Sequence, residues 1–131
     1  MERGGETVRL AVGVRTVPEL HFIRSRNHIT EHMHTVAQKL LVREQMIRGS
    51  VGIKAGFLAE AGGDFSFYTG ALGIWDVCAP ELLVTEAGGN VTDFSGNPLT
   101  YTRNTPRIQN GVLFSNNTCH DDILHTIQTC A

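Results

Sequence analysis

Hydrophobic and polar residues follow two different periods along this chain of 131 residues. Alternation with a period of two predicts strands at residues 7–14, 21–24, 65–68, 90–94 and 111–115. A period near 3.6 predicts helices after Thr30, from Ile53 to Ala61, after Asp76 and from Asp121 to Cys130. Strands that alternate with helices favour the α/β class, here a layered α/β/α domain with a mostly parallel sheet.

Local signals set the expected helix boundaries. Thr30 is a suitable N-cap, and one apolar face of the helix that follows combines Met33, Val36, Ala37, Leu40 and Leu41. The end of this helix lies between Leu41 and Ile47, and residues 45–48 form either its last turn or a strand. The Gly62-Gly63 pair ends the second helix. The third helix packs through Val77, Pro80, Val84 and Ala87.

The chain has the length of one ordinary domain. Residues 1–20, interrupted by Pro18, are interpreted as an opening strand or linker. Residues 21–131 are interpreted as the domain itself.

Composition excludes several classes of function. Apolar residues make up 41% and charged residues 18%, which is typical of a globular protein, and the net charge is −2. This charge predicts no binding to nucleic acid or anionic membranes, and no apolar run is long enough for a membrane span. Cys78, Cys119 and Cys130 are interpreted as free thiols, and the opening residues are not expected to be an export leader. A cytoplasmic location is therefore expected.

A carboxylate at the start of the third predicted helix is the first candidate for chemistry. Asp76 follows Trp75 and could hold Mg²⁺ while waters and a phosphate fill the remaining ligand positions. The alternative is an N-cap, and spacing by itself favours the cap.

The surrounding motifs resemble a known family. Residues 75–96 contain W-D-x-x-A-P-E, then E-A-G-G and D-x-x-G, an order similar to the second signature of the inositol monophosphatase-like, magnesium-dependent phosphatases. The segments 25–28 (S-R-N-H), 49–54 (G-S-x-G-x-K) and 78–81 (C-A-P-E) are most similar to its 3′(2′),5′-bisphosphate nucleotidase branch. The resemblance extends from about Val8 to Phe114 and implies the fold of the C-terminal domain of these enzymes.

The resemblance also implies roles for individual residues and an adenosine phosphate as ligand. It places His28 beside the base, Lys54 with help from Ser50 at a phosphate, and Asp76 on Mg²⁺. Backbone amides at the start of a helix attract phosphate, and a lysine adds a positive charge, so the phosphate role is physically reasonable.

Three positions depart from the patterns of the branches. Asn27 stands where a small hydroxyl residue is common. Tyr68 stands where some nucleotidases have a phosphate-binding arginine. Thr69 stands where inositol-specific members have a carboxylate that holds the sugar ring. An inositol monophosphatase-type sugar phosphatase fragment is therefore the less favoured alternative.

The acidic first motif of the family, D-P-x-D-G-T, is not found in this sequence. No Asp precedes any proline, and no Asp-Gly pair occurs. One carboxylate binds Mg²⁺ too weakly to activate water. We therefore expect a truncated or split nucleotidase-like domain that is inactive unless an N-terminal half completes it. The alternative is a non-catalytic oligomeric module that binds nucleotide or phosphate or serves assembly. In either case we expect a partner, a second copy in a dimer or the N-terminal half.

Other polar groups are interpreted as structural. His120, Asp121 and His125 open the last predicted helix, where acidic residues are favourable, and metal binding there is the weaker hypothesis. His32 and His34 are expected to face solvent. Cys78 is expected to be a buried, inert thiol.

Overall fold

The computed structural model describes residues 2–3, 6–7, 9–26, 29–70, 72–100 and 107–130. The helices in these residues are α1 Glu31–Lys39, α2 Val51–Ala59, α3 Ile74–Glu86 and α4 His120–Cys130. The strands are β1 Glu2–Arg3, β2 Glu6–Thr7, β3 His21–Arg24, β4 Glu44–Ile47, β5 Phe65–Tyr68, β6 Leu72–Gly73, β7 Asn90–Thr92, β8 Arg107–Ile108 and β9 Val112–Ser115.

A five-stranded sheet in the order β4-β3-β5-β9-β7 forms the centre of the domain. Strand β3 pairs in parallel with β4 and β5, whereas β9 pairs antiparallel with β5 and β7. Strands β4, β3, β5 and β7 therefore run in one direction, with β9 reversed between two of them. The predicted mostly parallel sheet is confirmed, and β9 makes it mixed.

Each face of the sheet carries its own helix pair and its own apolar core. On one face α1 and α4 cover a core that includes Phe22, Phe65 and Leu113. On the other face α2 and α3 cover a core that includes Ile23 and Phe114. Because successive strand residues point to opposite faces, neighbouring residues such as Phe22 and Ile23 belong to different cores. The predicted α/β/α layering is confirmed.

Helix α1 begins where the sequence predicts and ends earlier. The Thr30 Oγ1 accepts a hydrogen bond from the Met33 N–H at 3.1 Å, which makes Thr30 the N-cap. The helix ends at Lys39, and Leu41 lies beyond it with a positive φ of 52° and 68% exposure. Its assignment to the apolar face was wrong. Strand β4 follows, so the strand alternative for this region is confirmed.

Helices α2 and α3 both begin before their predicted starts. Ser50 caps α2, and α3 begins at Ile74 with Gly73 as its N-cap. Asp76 therefore lies inside the first turn, and the alternative that it is an N-cap is wrong. The face with Val77 and Val84 is buried as predicted.

The opening segment differs from its prediction. Strand β2 ends at Thr7, and residues 9–16 form no strand, so a strand over 7–14 was wrong. Individual hydrogen bonds attach this segment instead, including one at 2.9 Å from the Val12 N–H to the Ala87 carbonyl. The boundary at residue 20 stays a prediction.

None of the helices in the described ranges is both long enough and apolar enough to cross a bilayer.

Candidate functional site

A cavity of about 890 Å³ opens where strands β3, β4 and β5 end. Its lining includes the residues that directly follow these strands, among them Ser25, Arg48 and Thr69, and the start of α2. The three strands are parallel, so their carboxyl ends meet at one edge of the sheet. Crevices at this edge are the usual ligand sites of open α/β sheets.

Lys54 is the central charged group of this cavity. The residue is 3% exposed, and its Nζ donates hydrogen bonds to Ser25 Oγ at 2.6 Å and to the Tyr68 hydroxyl at 3.3 Å. The ammonium also lies 4.8 Å from the centre of the Tyr68 ring. Burial lowers the pKa of Lys54, because an apolar environment disfavours its charged form.

Ser50 lines the same cavity from the N-terminus of α2. Its Oγ accepts the Ile53 N–H at 3.2 Å, so the side chain already acts as a helix cap. The structure thus brings Ser50 and Lys54 to one site, as predicted. Their roles toward a phosphate stay a prediction.

All charged side chains among the described residues that line the cavity are positive. Arg24, Arg26 and Arg48 line it together with Lys54, and the described lining residues include no Asp or Glu. The Arg24 Nε is held by Gln45 Oε1 at 2.7 Å, and the Arg48 guanidinium lies 4.2 Å from the centre of the Phe57 ring. Such a site favours an anionic ligand.

Asp76 is not among the described residues that line this cavity. It is exposed in the first turn of α3, next to Trp75, which is 63% exposed. Within the described ranges, no group of three or more His, Cys, Asp or Glu residues is placed to hold a metal. Mg²⁺ requires near-octahedral oxygen ligands, so these residues do not fit a complete magnesium site.

His28 lies outside the described residues. Its proposed place beside a base therefore stays a prediction. Arg26 and Thr30, two positions before and two positions after it, both line the cavity.

Sequence reasoning missed the contacts of Ser25 and Tyr68 with Lys54. In the sequence, Ser25 was considered as one member of the S-R-N-H motif. Tyr68 was considered as a residue that replaces the phosphate-binding arginine of some nucleotidases. A signal was present, because both residues stand at or just after the end of a predicted strand, where parallel strands expose their loops.

Two of the remaining polar residues, His32 and Cys78, differ from their interpretations. His32 is half-buried and its Nε2 bonds the Ile127 carbonyl at 3.1 Å, so its prediction as solvent-facing was wrong, whereas His34 is exposed. Cys78 is exposed, and its prediction as buried was wrong. His120 is 2% exposed and lies between two hydroxyls, 2.5 Å from Ser115 Oγ and 2.8 Å from Thr92 Oγ1.

The comparisons with known proteins indicate one family. The sequence model of the inositol monophosphatase family matches residues 13–130. The chain is 36% identical over 73 residues to the 3′(2′),5′-bisphosphate nucleotidase CysQ of Aggregatibacter actinomycetemcomitans, covering 56% of this chain and 27% of that protein. It is 33% identical over 85 residues to a fructose-1,6-bisphosphatase/inositol-1-monophosphatase of Thermotoga maritima, covering 65% of this chain and 30% of that protein.

A solved structure has the same fold. The IMPase of Thermotoga maritima superimposes with a TM-score of 0.73 at 23% identity, covering 97% of this chain and 47% of that one. The chain thus spans about half the length of this solved protein.

Proposed function

The chain belongs to the inositol monophosphatase family, and from this membership we propose that it supplies the phosphate-binding side of a phosphatase active site. The observation that carries the proposal is the buried Lys54 in a cavity whose described lining has arginines and no carboxylate. A phosphate monoester is the anion that fits this charge and the family.

The proposed substrate is a 3′(2′),5′-bisphosphate nucleotide, with adenosine phosphates as the first ligands to test. The similarity to CysQ supports this choice. Thr69, a neutral residue, lines the cavity, so this position offers no carboxylate to hold a sugar ring. The cavity also has space for a base, since its apolar side includes Met33 and Phe67.

Hydrolysis requires metal ligands that the described residues do not provide. We propose that Asp76 contributes one Mg²⁺ ligand in a site that an N-terminal half completes. The exposed position of Asp76 supports this, because a partner can approach it. The chain alone is therefore expected to bind phosphate esters without hydrolysing them.

An activity assay tests the enzymatic part. Adenosine 3′,5′-bisphosphate and Mg²⁺ are supplied to the chain alone and to a mixture with the N-terminal half of a family member. Phosphate release in the mixture, lost in Asp76→Asn, is the expected result. Release by the chain alone would contradict the proposal.

Binding is tested separately by NMR. Adenosine monophosphate should shift the amides of residues 49–54 with millimolar affinity, about −4 kcal/mol, and spare Asp121. Lys54→Ala should abolish these shifts. Unchanged shifts in that variant would remove Lys54 from the proposed site.

A second candidate function, an assembly module, is favoured by one surface. Ile53 on α2 and Trp75 and Leu82 on α3 are 53%, 63% and 62% exposed. These side chains present apolar area to solvent on two helices that pack together. Monomers seldom leave large apolar patches uncovered. We propose that a second copy or the N-terminal half covers it. Sedimentation at rising concentration, with Leu82→Lys as the interface variant, separates a dimer from a monomer.

A further inference from the structure

Lys54 is the donor in both hydrogen bonds described at its Nζ. Its Nζ donates to Ser25 Oγ and to the Tyr68 oxygen. An ammonium has no lone pair, so both hydroxyls can act here solely as acceptors. A hydroxyl that accepts from Lys54 still has its own O–H to donate. Ser25 and Tyr68 thus remain donors toward the cavity that both of them line.

Ser66 adds a further hydroxyl to this group. It lines the cavity and is 2% exposed. Burial raises the pKa of Tyr68, and the hydrogen bond from Ser66 opposes part of that rise, so Tyr68 is protonated at neutral pH. The Tyr68 hydroxyl therefore keeps its own proton for a ligand.

The ammonium therefore has neutral acceptors and, among the described residues that line the cavity, no carboxylate to balance it. One N–H of Lys54 and the hydroxyls of Ser25 and Tyr68 remain for a ligand in the cavity that these residues line. All of them donate. A ligand atom that fills this volume has to accept hydrogen bonds and carry negative charge.

We propose that this donor set selects tetrahedral oxyanions in their fully deprotonated form, and that Ser25 and Tyr68 are the residues that position Lys54 and complete the set. The proposal rests on the proposed function and names the ionisation state that its phosphate site takes. A phosphate monoanion has less charge, and its P–OH has to compete with Lys54 for the lone pairs of the two hydroxyls. A sulfate dianion has neither disadvantage, so sulfate and phosphate dianions should bind alike.

The test uses methyl phosphate and inorganic sulfate, titrated separately into the chain at pH 5 and pH 7 and followed through the amides of residues 49–54. A phosphate monoester has its second pKa near 6, so its dianion fraction rises about tenfold across this range. The methyl phosphate affinity should rise about tenfold. The sulfate affinity should change less than twofold, and it controls for every titration of the protein itself.

Variants test the two positioning residues. Tyr68→Phe keeps the ring and removes the hydroxyl, and Ser25→Ala removes the other acceptor of Lys54. Each should weaken both anions about tenfold, because a hydrogen bond to a charged group is lost. Ser25→Thr should restore affinity to within about twofold. Thr35→Ala, which removes a half-buried hydroxyl on α1 that is not among the described residues lining the cavity, is the matched control and should change nothing.

The possible outcomes distinguish a failure of this inference from a failure of the proposed function. Equal pH dependence for the two anions would overturn the selection of the dianion. Binding unaffected by Ser25→Ala and Tyr68→Phe together would overturn the donor set and leave the phosphate site standing. No binding of either anion to the wild-type chain would overturn the phosphate site itself. The amide spectrum of the buried Ile123 region reports whether each variant is folded.

Discussion

Two charged side chains are buried in this domain, Lys54 in α2 and Asp64 just before β5, and their surroundings are opposite in kind. Asp64 is 0% exposed and Lys54 is 3% exposed. Asp64 is surrounded by donors from the protein and bonds a cation. Lys54 is surrounded by neutral hydroxyls and borders a cavity.

The environment of Asp64 is complete. Its Oδ2 accepts from Arg15 Nε at 2.7 Å and from the His21 backbone N–H at 2.8 Å. Its Oδ1 accepts from Asn116 Nδ2 at 2.9 Å. These bonds join the opening segment, β3 and the residue after β9. A buried carboxylate with its acceptor positions filled contributes to structure, and no ligand is needed to balance it.

Lys54 is the opposite case. Its described acceptors are two neutral oxygens, and burial lowers its pKa without a described carboxylate to oppose that shift. An ammonium in such a place costs free energy in the empty protein. A buried charge therefore does not by itself indicate a functional residue. A buried charge that lacks a counter-charge and lies beside a cavity does indicate one.

The largest expected effect is on stability at Asp64. Asp64→Ala leaves Arg15 and Asn116 without their acceptor, so the free energy of unfolding should fall by about 3–5 kcal/mol. Urea denaturation measures this. Asp121→Ala, at an exposed carboxylate, is the control and should cost less than about 1 kcal/mol. A small loss in Asp64→Ala would remove the contrast between the two charges.

Lys54→Met should give the reverse pattern. Anion binding at the cavity should weaken at least tenfold, because the positive charge is gone. The free energy of unfolding should stay the same or rise by up to about 1 kcal/mol, because a desolvated charge has been removed. Calorimetric titration with sulfate and urea denaturation measure the two effects. A loss of stability above about 2 kcal/mol would make Lys54 a structural residue like Asp64.

His120 offers a third, smaller test, because it is a buried group kept neutral. Burial lowers its pKa, and the charge of Asp121 opposes part of that shift. The unfolded chain therefore binds this proton first as the pH falls below about 6.5. The free energy of unfolding should decline through that range and level off below the folded pKa. One proton limits the slope to about 1.4 kcal/mol per pH unit.

The matched variant for this prediction is His120→Gln, which keeps a polar group between Thr92 and Ser115. Its free energy of unfolding between pH 7 and pH 5 should depend less on pH than that of the wild type. Equal slopes in the two proteins would show that His120 does not titrate differently on folding.

The class of the fold and the candidate residues for phosphate and metal binding follow from the amino-acid sequence. Periods of two and 3.6 along the chain predicted the α/β/α layers, because each period is a direct consequence of strand or helix geometry. Thr30 predicted the start of α1 through its capping chemistry. The motif around Lys54 pointed to a phosphate, and the motif around Asp76 pointed to a metal.

The tertiary structure decided the features that depend on partners distant in sequence. Leu41 looked apolar and helical, yet its exposure follows from where α1 ends and turns toward β4. Residues 9–16 alternate like a strand but form none, because they bond Ala87 and Asp64 from other elements. The contacts of Lys54 with Ser25 and Tyr68 join residues 29 and 14 positions apart. Sequence periodicity reports which face a residue occupies, and it does not report which residue of another element it meets.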